Sequence, residues 1–219
     1  MRSTPDAALL QASAHELKNV AAALEDALAR LAESLPSRSG NREDPSAAAC
    51  GAARLHAATL RRRLVALTLL LAEPDAADLR IETVSVDELL DELLAGASPG
   101  RDPALRVDRM PMDRGMLVDC DAARLVLALE GALDNALRHA RRWIGLAALR
   151  ADGGVLLRLD DDGPGPGASP IGPAPRHATG LGLRLAAMIA GAHRRHGRAG
   201  WARLSERPGG GGRFEIWLP

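Results

Sequence analysis

The chain is predicted to be an α+β protein, a helical hairpin followed by a layered domain of helices and mostly antiparallel strands. Leucines at 10, 17, 24 and 31 recur every seven residues near the start. The texture changes after Pro74, where short alternating segments begin to interleave with helical ones. The stretch 159–183, LDDDGPGPGASPIGPAPRHATGLGL, places glycine pairs at both ends of a proline-rich loop. Glycines let backbone N–H groups approach a phosphate, and a helix N-terminus adds a favourable dipole, so this stretch nominates a nucleotide pocket. Its acidic run suits a donor-rich partner instead, such as an adenine amino group or a metal.

Composition narrows the classes. Apolar residues make up 47% of the 219 residues but aromatics only 2%, so the core is built from Leu, Ala and Val, which lean helical. Lys+Arg and Asp+Glu balance at 28 each, so no bulk field argues for nucleic acid. Cys50 and Cys120 lack ligand spacing and read as buried, reduced thiols. The longest apolar run, Leu64 to Ala72, is too short to span a bilayer. A soluble, cytoplasmic protein without membrane insertion is expected.

In the first 75 residues, Thr4 and Pro5 supply a capping hydroxyl and a first-turn proline. Val20, Leu28 and Leu35 fill in the leucine stripe, giving a coiled-coil-like seam on one long helix. Pro36 and the polar run Ser37 to Ser46 break it, Asp44-Pro45 starts a second helix, and Glu73-Pro74 ends that one. The second stripe is Leu60, Leu64, Leu67 and Leu71. One antiparallel hairpin buries two such stripes poorly, so a dimeric four-helix bundle is expected.

From 76 to 219, Arg80 to Val86 alternates as a strand, and Asp87 to Ala95 is a short helix with Leu89, Leu90, Leu93 and Leu94 inward. Leu105 to Met110 and Met116 to Val118 are short strands. Asp121 caps a helix that runs to Ala140 and buries Leu125, Leu129, Leu133 and Ala136. Trp143 to Arg150 and Val155 to Asp160 form a hairpin around Asp152-Gly153-Gly154. Leu181 to His196 is expected to be one helix ended by Gly197, and Trp201 to Ser205 and Arg213 to Leu218 form a last hairpin. The Gly209 to Gly212 run reads as a loop rather than a phosphate cradle, since no helix follows it.

Three groups carry chemistry. His15 lies about 200° round its helix from Leu17, on the polar face beside Glu16, with Lys18 and Asn19 in the next turn. An exposed imidazole next to a carboxylate is either a nucleophile or a plain surface histidine. Asn135 and His139 share a face one turn apart, and a mid-helix Asn needs a reason, either a carboxamide oxygen for Mg²⁺ or a bond to a neighbouring loop. Glu130 is a further polar contributor or a solvated helix residue.

Together these segments resemble sensor histidine kinases. HELKN is similar to the family's H-box, LVLALEGALDNALRHA to its N-box, DDGPG and TGLGL to its G1 and G2 boxes, and GGRFEIWLP to its closing strand. The resemblance implies residues 1–75 as a dimerisation and phosphotransfer hairpin and 76–219 as an α/β-sandwich GHKL (Bergerat-type) ATP-binding domain. It implies His15 as phospho-acceptor, Glu16 as adjoining acid/base, and Asn19 as the residue that orients water for phosphatase activity. Asn135 would hold Mg²⁺ on ATP, with Arg138 and His139 lining the nucleotide edge. Asp161, placed by Gly163 and Gly165, would accept from the adenine amino group, and Thr179, Gly180, Leu181 and Gly182 would meet the phosphates. A homodimer, a response-regulator receiver and a separate sensor or regulatory protein are the implied partners. The chain departs from the pattern at Val20, where the family usually has Pro, at Gly131, normally Asn or Glu, and at Ala178, normally Gly. Its lid, 167–178, is short and lacks phenylalanine. These departures leave a second reading, a histidine phosphotransfer scaffold whose ATP domain turns nothing over. An anti-sigma serine kinase on the same ATP fold would have no use for HELKN.

Overall fold

The computed structural model describes residues 78–97, 104–113, 115–166 and 181–219, with single positions and short runs between 22 and 69. The chain divides into two compact units, Met1–Glu73 and Pro74–Pro219.

In the first unit the described residues are helical. Cys50, Ala57 and Leu64, spaced by seven, are buried, and Cys50 Sγ donates to Leu28 O at 3.2 Å. Leu60 and Leu67 stay 49% and 40% exposed, and Leu24 is exposed too. The expected stripe therefore splits into two lines. Leu64 lies on the line that starts with Cys50, and Leu60 and Leu67 fall on the neighbouring line, offset by about 40–60° round the helix. Leu71 lies outside the described residues, as do the leucines at 10, 17 and 31.

The second unit runs β1 (Glu82–Ser85), α1 (Val86–Ala97), β2 (Arg106–Arg109), β3 (Leu117–Cys120), α2 (Ala122–His139), β4 (Trp143–Ala151), β5 (Gly154–Asp161), α3 (Leu181–Ala192), β6 (Arg194–Arg195), β7 (Arg198–Ala199), β8 (Trp201–Glu206) and β9 (Gly212–Leu218). A five-stranded sheet has the order β2-β4-β5-β9-β8, and β1-β3 and β6-β7 form two small sheets. All pairs are antiparallel except β2 with β4. Alternation along the strands sorts the faces. Ile144, Leu146 and Ala148 of β4, Val155, Leu157 and Leu159 of β5, and Phe214, Ile216 and Leu218 of β9 are buried on the helix side. Leu89, Leu90 and Leu93 of α1, Leu125, Leu129, Leu133 and Ala136 of α2, and Leu185, Ala186 and Ile189 of α3 close the core.

The opposite face is polar and aromatic. The register sets Arg203 against Glu215 and Asp160 against Arg213, and both pairs bond, Arg203 Nε at 2.6 Å and Arg213 Nε and Nη2 at 2.7 and 2.9 Å. Every tryptophan carries an arginine on its ring: Arg198 on Trp217, Arg203 on Trp201 and Arg207 on Trp143.

Asp121 caps α2 as expected, its Oδ1 accepting from Arg124 N at 3.1 Å. The β4–β5 turn has positive φ at Asp152 and Gly153, the primed geometry that matches strand twist. The expectation for 181–196 needs correction, because α3 stops at Ala192. His196 and Gly197, both at positive φ, make a second primed turn joining β6 to β7, so Gly197 turns a hairpin instead of ending a helix. What ends α3 is His193. Its backbone N–H reaches only to Ala190 O, its Nδ1 bonds Ile189 O at 2.8 Å, and its Nε2 accepts from Asp121 N at 2.9 Å. The buried ring fastens the end of α3 to the cap of α2.

Candidate nucleotide site at the end of strand β5

Strand β5 delivers Asp160 to the outer sheet face and Asp161 to the helix side, because successive side chains alternate. Asp161 is 7% exposed. Its Oδ1 accepts from Gly163 N at 2.8 Å and Gly212 N at 3.2 Å. Among the described residues Oδ2 has no hydrogen-bond partner, which leaves one carboxylate oxygen as an available acceptor.

Glycine is required around this carboxylate. A Cβ on Gly163 would come 2.5 Å from His139 O, and one on Gly212 would strike Asp161 Oδ2. Gly211, at φ +104°, lies against the Asp161 carbonyl, and Gly165, at φ +80°, lies over Gly211 O. The 209–212 run is a turn, as expected, but it also seats the carboxylate. Arg207 holds that turn: its N–H donates to Gly211 O and its Nε to Gly210 O.

The other two aspartates of the run have separate partners. Asp160 is paired with Arg213 and approached by Arg158 Nε at 3.6 Å. Asp162 turns toward the α2–β4 connection, where Oδ1 accepts from Arg141 N at 2.8 Å and from Arg142 N and Trp143 N at 3.1 Å each, and Oδ2 accepts from Arg142 N at 3.1 Å. Burial raises the carboxyl's pKa, but the bonds from the 141–143 amides outweigh it and hold Asp162 below the usual carboxylate range.

On α2, Asn135, Arg138 and His139 are exposed, all within the last two turns. The Asn135 carboxamide and the His139 ring have no hydrogen bond among the described residues, whereas Arg138 Nε folds back to Asp134 O at 3.2 Å. Among the described residues no three His, Cys, Asp or Glu side chains gather to hold a metal. Asn135 alone is a single neutral oxygen donor, which fits a hard cation that keeps its waters and arrives bound to a polyphosphate. Gly182, in the first turn of α3, is exposed, and the first N–H groups of a helix, which have no partner within it, suit an anion. His15, Glu16, Asn19, Thr179, Gly180 and the segment 167–178 lie outside the described residues, and of Leu181 only the backbone is described.

Gly211, Gly212 and Asp162 are the site-building residues that pattern reasoning passed over. Four consecutive glycines ahead of a strand were the available signal for the first two. Neither cysteine competes as a reactive group. Both are buried and free, and burial pushes the Cys120 thiol up to about 12.

Residues 120–219 match the family described as histidine kinase-, DNA gyrase B- and HSP90-like ATPases. The sensor histidine kinase CpxA of Escherichia coli K12 is 32% identical over 116 residues, covering 42% of this chain and 23% of the relative. The chain thus spans under a quarter of the length of the curated relatives it matches. Among solved structures, full-length ShkA in complex with AMPPNP aligns at a TM-score of 0.62 with 20% identity, over 99% of this chain and 46% of that one. The Acinetobacter baumannii histidine kinase AdeS aligns at 0.55 with 18% identity, over 93% of this chain and 96% of that one. At such identities the likeness speaks for the fold. No helix among the described residues is long and apolar enough to cross a membrane. Residues 120–219 thus carry a domain of the histidine kinase-, DNA gyrase B- and HSP90-like ATPase family, with homology to part of sensor histidine kinases.

Proposed function

We infer that the chain is the core of a two-component histidine kinase, which binds ATP in its C-terminal unit and phosphorylates His15. The observation that carries this reading is Asp161, a buried carboxylate with one oxygen fixed by two backbone N–H groups and the other open to accept. An acceptor-only group in that setting selects a base edge that presents an amino group, as adenine does. Asn135 and the first turn of α3 supply an oxygen donor and N–H donors for the Mg²⁺-phosphate end. Mg²⁺, when bound, neutralises charge that develops on the transferring phosphoryl group.

In this reading a nitrogen of His15 attacks the γ-phosphorus in line. An N–P bond forms, the bond to the bridging oxygen breaks, ADP leaves, and Glu16 takes the imidazole proton. The phosphoryl group then passes to an aspartate of a response-regulator receiver, and Asn19 orients water for the opposing phosphatase reaction, in which that aspartyl phosphate is hydrolysed to aspartate and inorganic phosphate. Leu24, Leu60 and Leu67, exposed at heptad-compatible spacing, favour a homodimer through residues 1–75, and residues 76–219 act as the catalytic unit. The rival scaffold reading keeps His15 but binds no nucleotide, and the intact seat of Asp161 weighs against it.

The test is incubation with γ-labelled ATP and Mg²⁺. An acid-labile, alkali-stable label that disappears in His15→Gln supports the kinase. Nucleotide binding without label points to an acceptor outside this chain, and absence of both binding and label overturns the reading in favour of the scaffold.

A further inference from the structure

We propose that Asp162 is a positioning residue that fixes the distance between the base end and the phosphate end of the nucleotide site, an inference that rests on the ATP reading above. The two ends sit on different elements. Asp161 closes β5, whereas Asn135 and His139 lie in the last two turns of α2. Between them runs the whole β4–β5 hairpin, so the covalent path alone leaves their separation loose. Asp162 closes that gap locally. Its one carboxylate gathers three consecutive N–H groups of the α2–β4 connection, and its own N–H donates to Trp143 O at 3.2 Å.

The next residue adds to the fastening, since Gly163 packs against His139 O with no room for a side chain. Asp161 and Asp162 are adjacent at the end of β5, and their carboxylates diverge, one onto the glycine turn and the other onto the connection that follows the helix carrying Asn135. A carboxylate suits the second task better than a carboxamide. It accepts at both oxygens, whereas Asn would set its NH₂ against one of the incoming N–H groups. Trp143 reinforces the same connection, because its Nε1 donates to Asp108 at 2.9 Å and Arg207, which holds the glycine turn under Asp161, stacks on its ring.

The prediction separates ligands that touch one end from ligands that span both. In Asp162→Asn and Asp162→Ala, Mg²⁺·ATP should bind about tenfold more weakly, the loss of roughly one charge-assisted interaction. Adenosine, which reaches only the Asp161 end, should change by less than about threefold. Titrations of wild type, Asp161→Ala and both Asp162 variants, by calorimetry for Mg²⁺·ATP and by NMR for adenosine, with a melting curve for each, make the measurement. A selective loss of Mg²⁺·ATP affinity supports the proposal. Equal losses for both ligands, tracking a fall in melting temperature, reduce Asp162 to a structural residue and overturn it, as does unchanged affinity. Should Asp162→Ala fail to fold, the isosteric Asp162→Asn carries the comparison. Wild type that binds neither ligand, indistinguishable from Asp161→Ala, removes the ATP reading and this inference with it.

Discussion

Gly131 occupies the interior of α2, one turn before Asn135 on the same face. Its backbone is helical, and a Cβ built on it meets nothing within 4 Å. Two consequences follow from that empty space. A glycine inside a helix costs about 0.5–1 kcal/mol relative to alanine, because the unfolded chain has more freedom to lose. With no steric penalty to offset the gain, Gly131→Ala should stabilise the C-terminal unit by about that amount. For a domain of this size such a change raises the melting temperature by about 1–4 °C. Thermal and urea unfolding of the two proteins measure it, and an unchanged slope in urea shows that the surface exposed on unfolding is the same in both. The second consequence concerns function. Gly131→Asn places a carboxamide at the position where the family usually carries Asn or Glu, and the open space admits it. Mg²⁺·ATP should then bind about three- to tenfold more tightly than to Gly131→Ala, the worth of one added polar contact. Destabilisation of either variant by more than about 1 kcal/mol would refute the reasoning, since it would mean that the space beside Gly131 is not free.

Further outcomes are expected elsewhere. Gly212→Ala drives a methyl group into Asp161 Oδ2, so it should lower stability by about 1–3 kcal/mol and abolish nucleotide binding, while Gly209→Ala, where a Cβ meets nothing but φ is +89°, should spare binding and lose only about 1 kcal/mol. Parallel unfolding and binding curves separate the two. His193 is held neutral in the fold, burial pushing its pKa below the ordinary 6.5, with Nε2 required as an acceptor. The unfolded chain therefore binds more protons below pH 6.5, so stability should be full above that value and fall as pH drops toward the depressed folded value. In His193→Gln that acid-side loss should shrink, as read from urea midpoints between pH 7.5 and 5. Among the described residues Arg213→Ala leaves the buried Asp160 with Arg158 alone as a cationic neighbour and should cost about 1–3 kcal/mol, whereas the paired change Asp160→Leu with Arg213→Met should cost less than Arg213→Ala alone. Leu60→Ser with Leu67→Ser should shift the protein toward monomer in sedimentation equilibrium, because both leucines are exposed and would be covered in the proposed homodimer. A dimer of unaltered affinity would remove them from the interface.

How far the structure can be read from the residues depends on which force decides each element. The β4–β5 hairpin is legible because Asp152-Gly153 demands positive φ, and the alternation on either side sets the register. Helix α2 is legible from its cap and its 125-129-133-136 stripe, both local signals. The end of α3 is not, because what stops it is a tertiary bond: His193 finds its partner at Asp121, 72 residues away, and no local pattern announces that. His196-Gly197 is a hairpin signal in hindsight, but the flanking arginines lack the alternation that would mark strands. The Leu60-64-67 grouping is a correct helix reading with an incomplete face reading. A leucine stripe shows which side is apolar, not how much of it the same chain covers. Asp161 is legible through its spacing to Gly163 and Gly165, whereas Gly212, 51 residues on, joins it only through the β5–β9 pairing.

The acidic triplet shows why charge runs resist a single interpretation. Three adjacent carboxylates would repel one another if they shared a direction. At the end of β5 they do not, since Asp160 meets a guanidinium, Asp161 meets two amides, and Asp162 meets three amides. Each is satisfied by a different element, so the triplet joins β9, the glycine turn and the α2–β4 connection at one point. The two ends of the proposed site therefore differ in how they are built. The base end is clamped by backbone that admits only glycine, while the metal end rests on one exposed carboxamide beside the empty space at Gly131. Preorganised donors and acceptors govern binding of the part they touch, and turnover depends on how the reacting phosphate is held. A chain built in this way should retain adenine recognition more firmly than phosphoryl transfer. If His15 labelling is slow, the cause lies at the α2 end, and Gly131→Asn should raise the rate of labelling more than it raises affinity for adenosine. Equal effects on both would place the weakness at the base end instead.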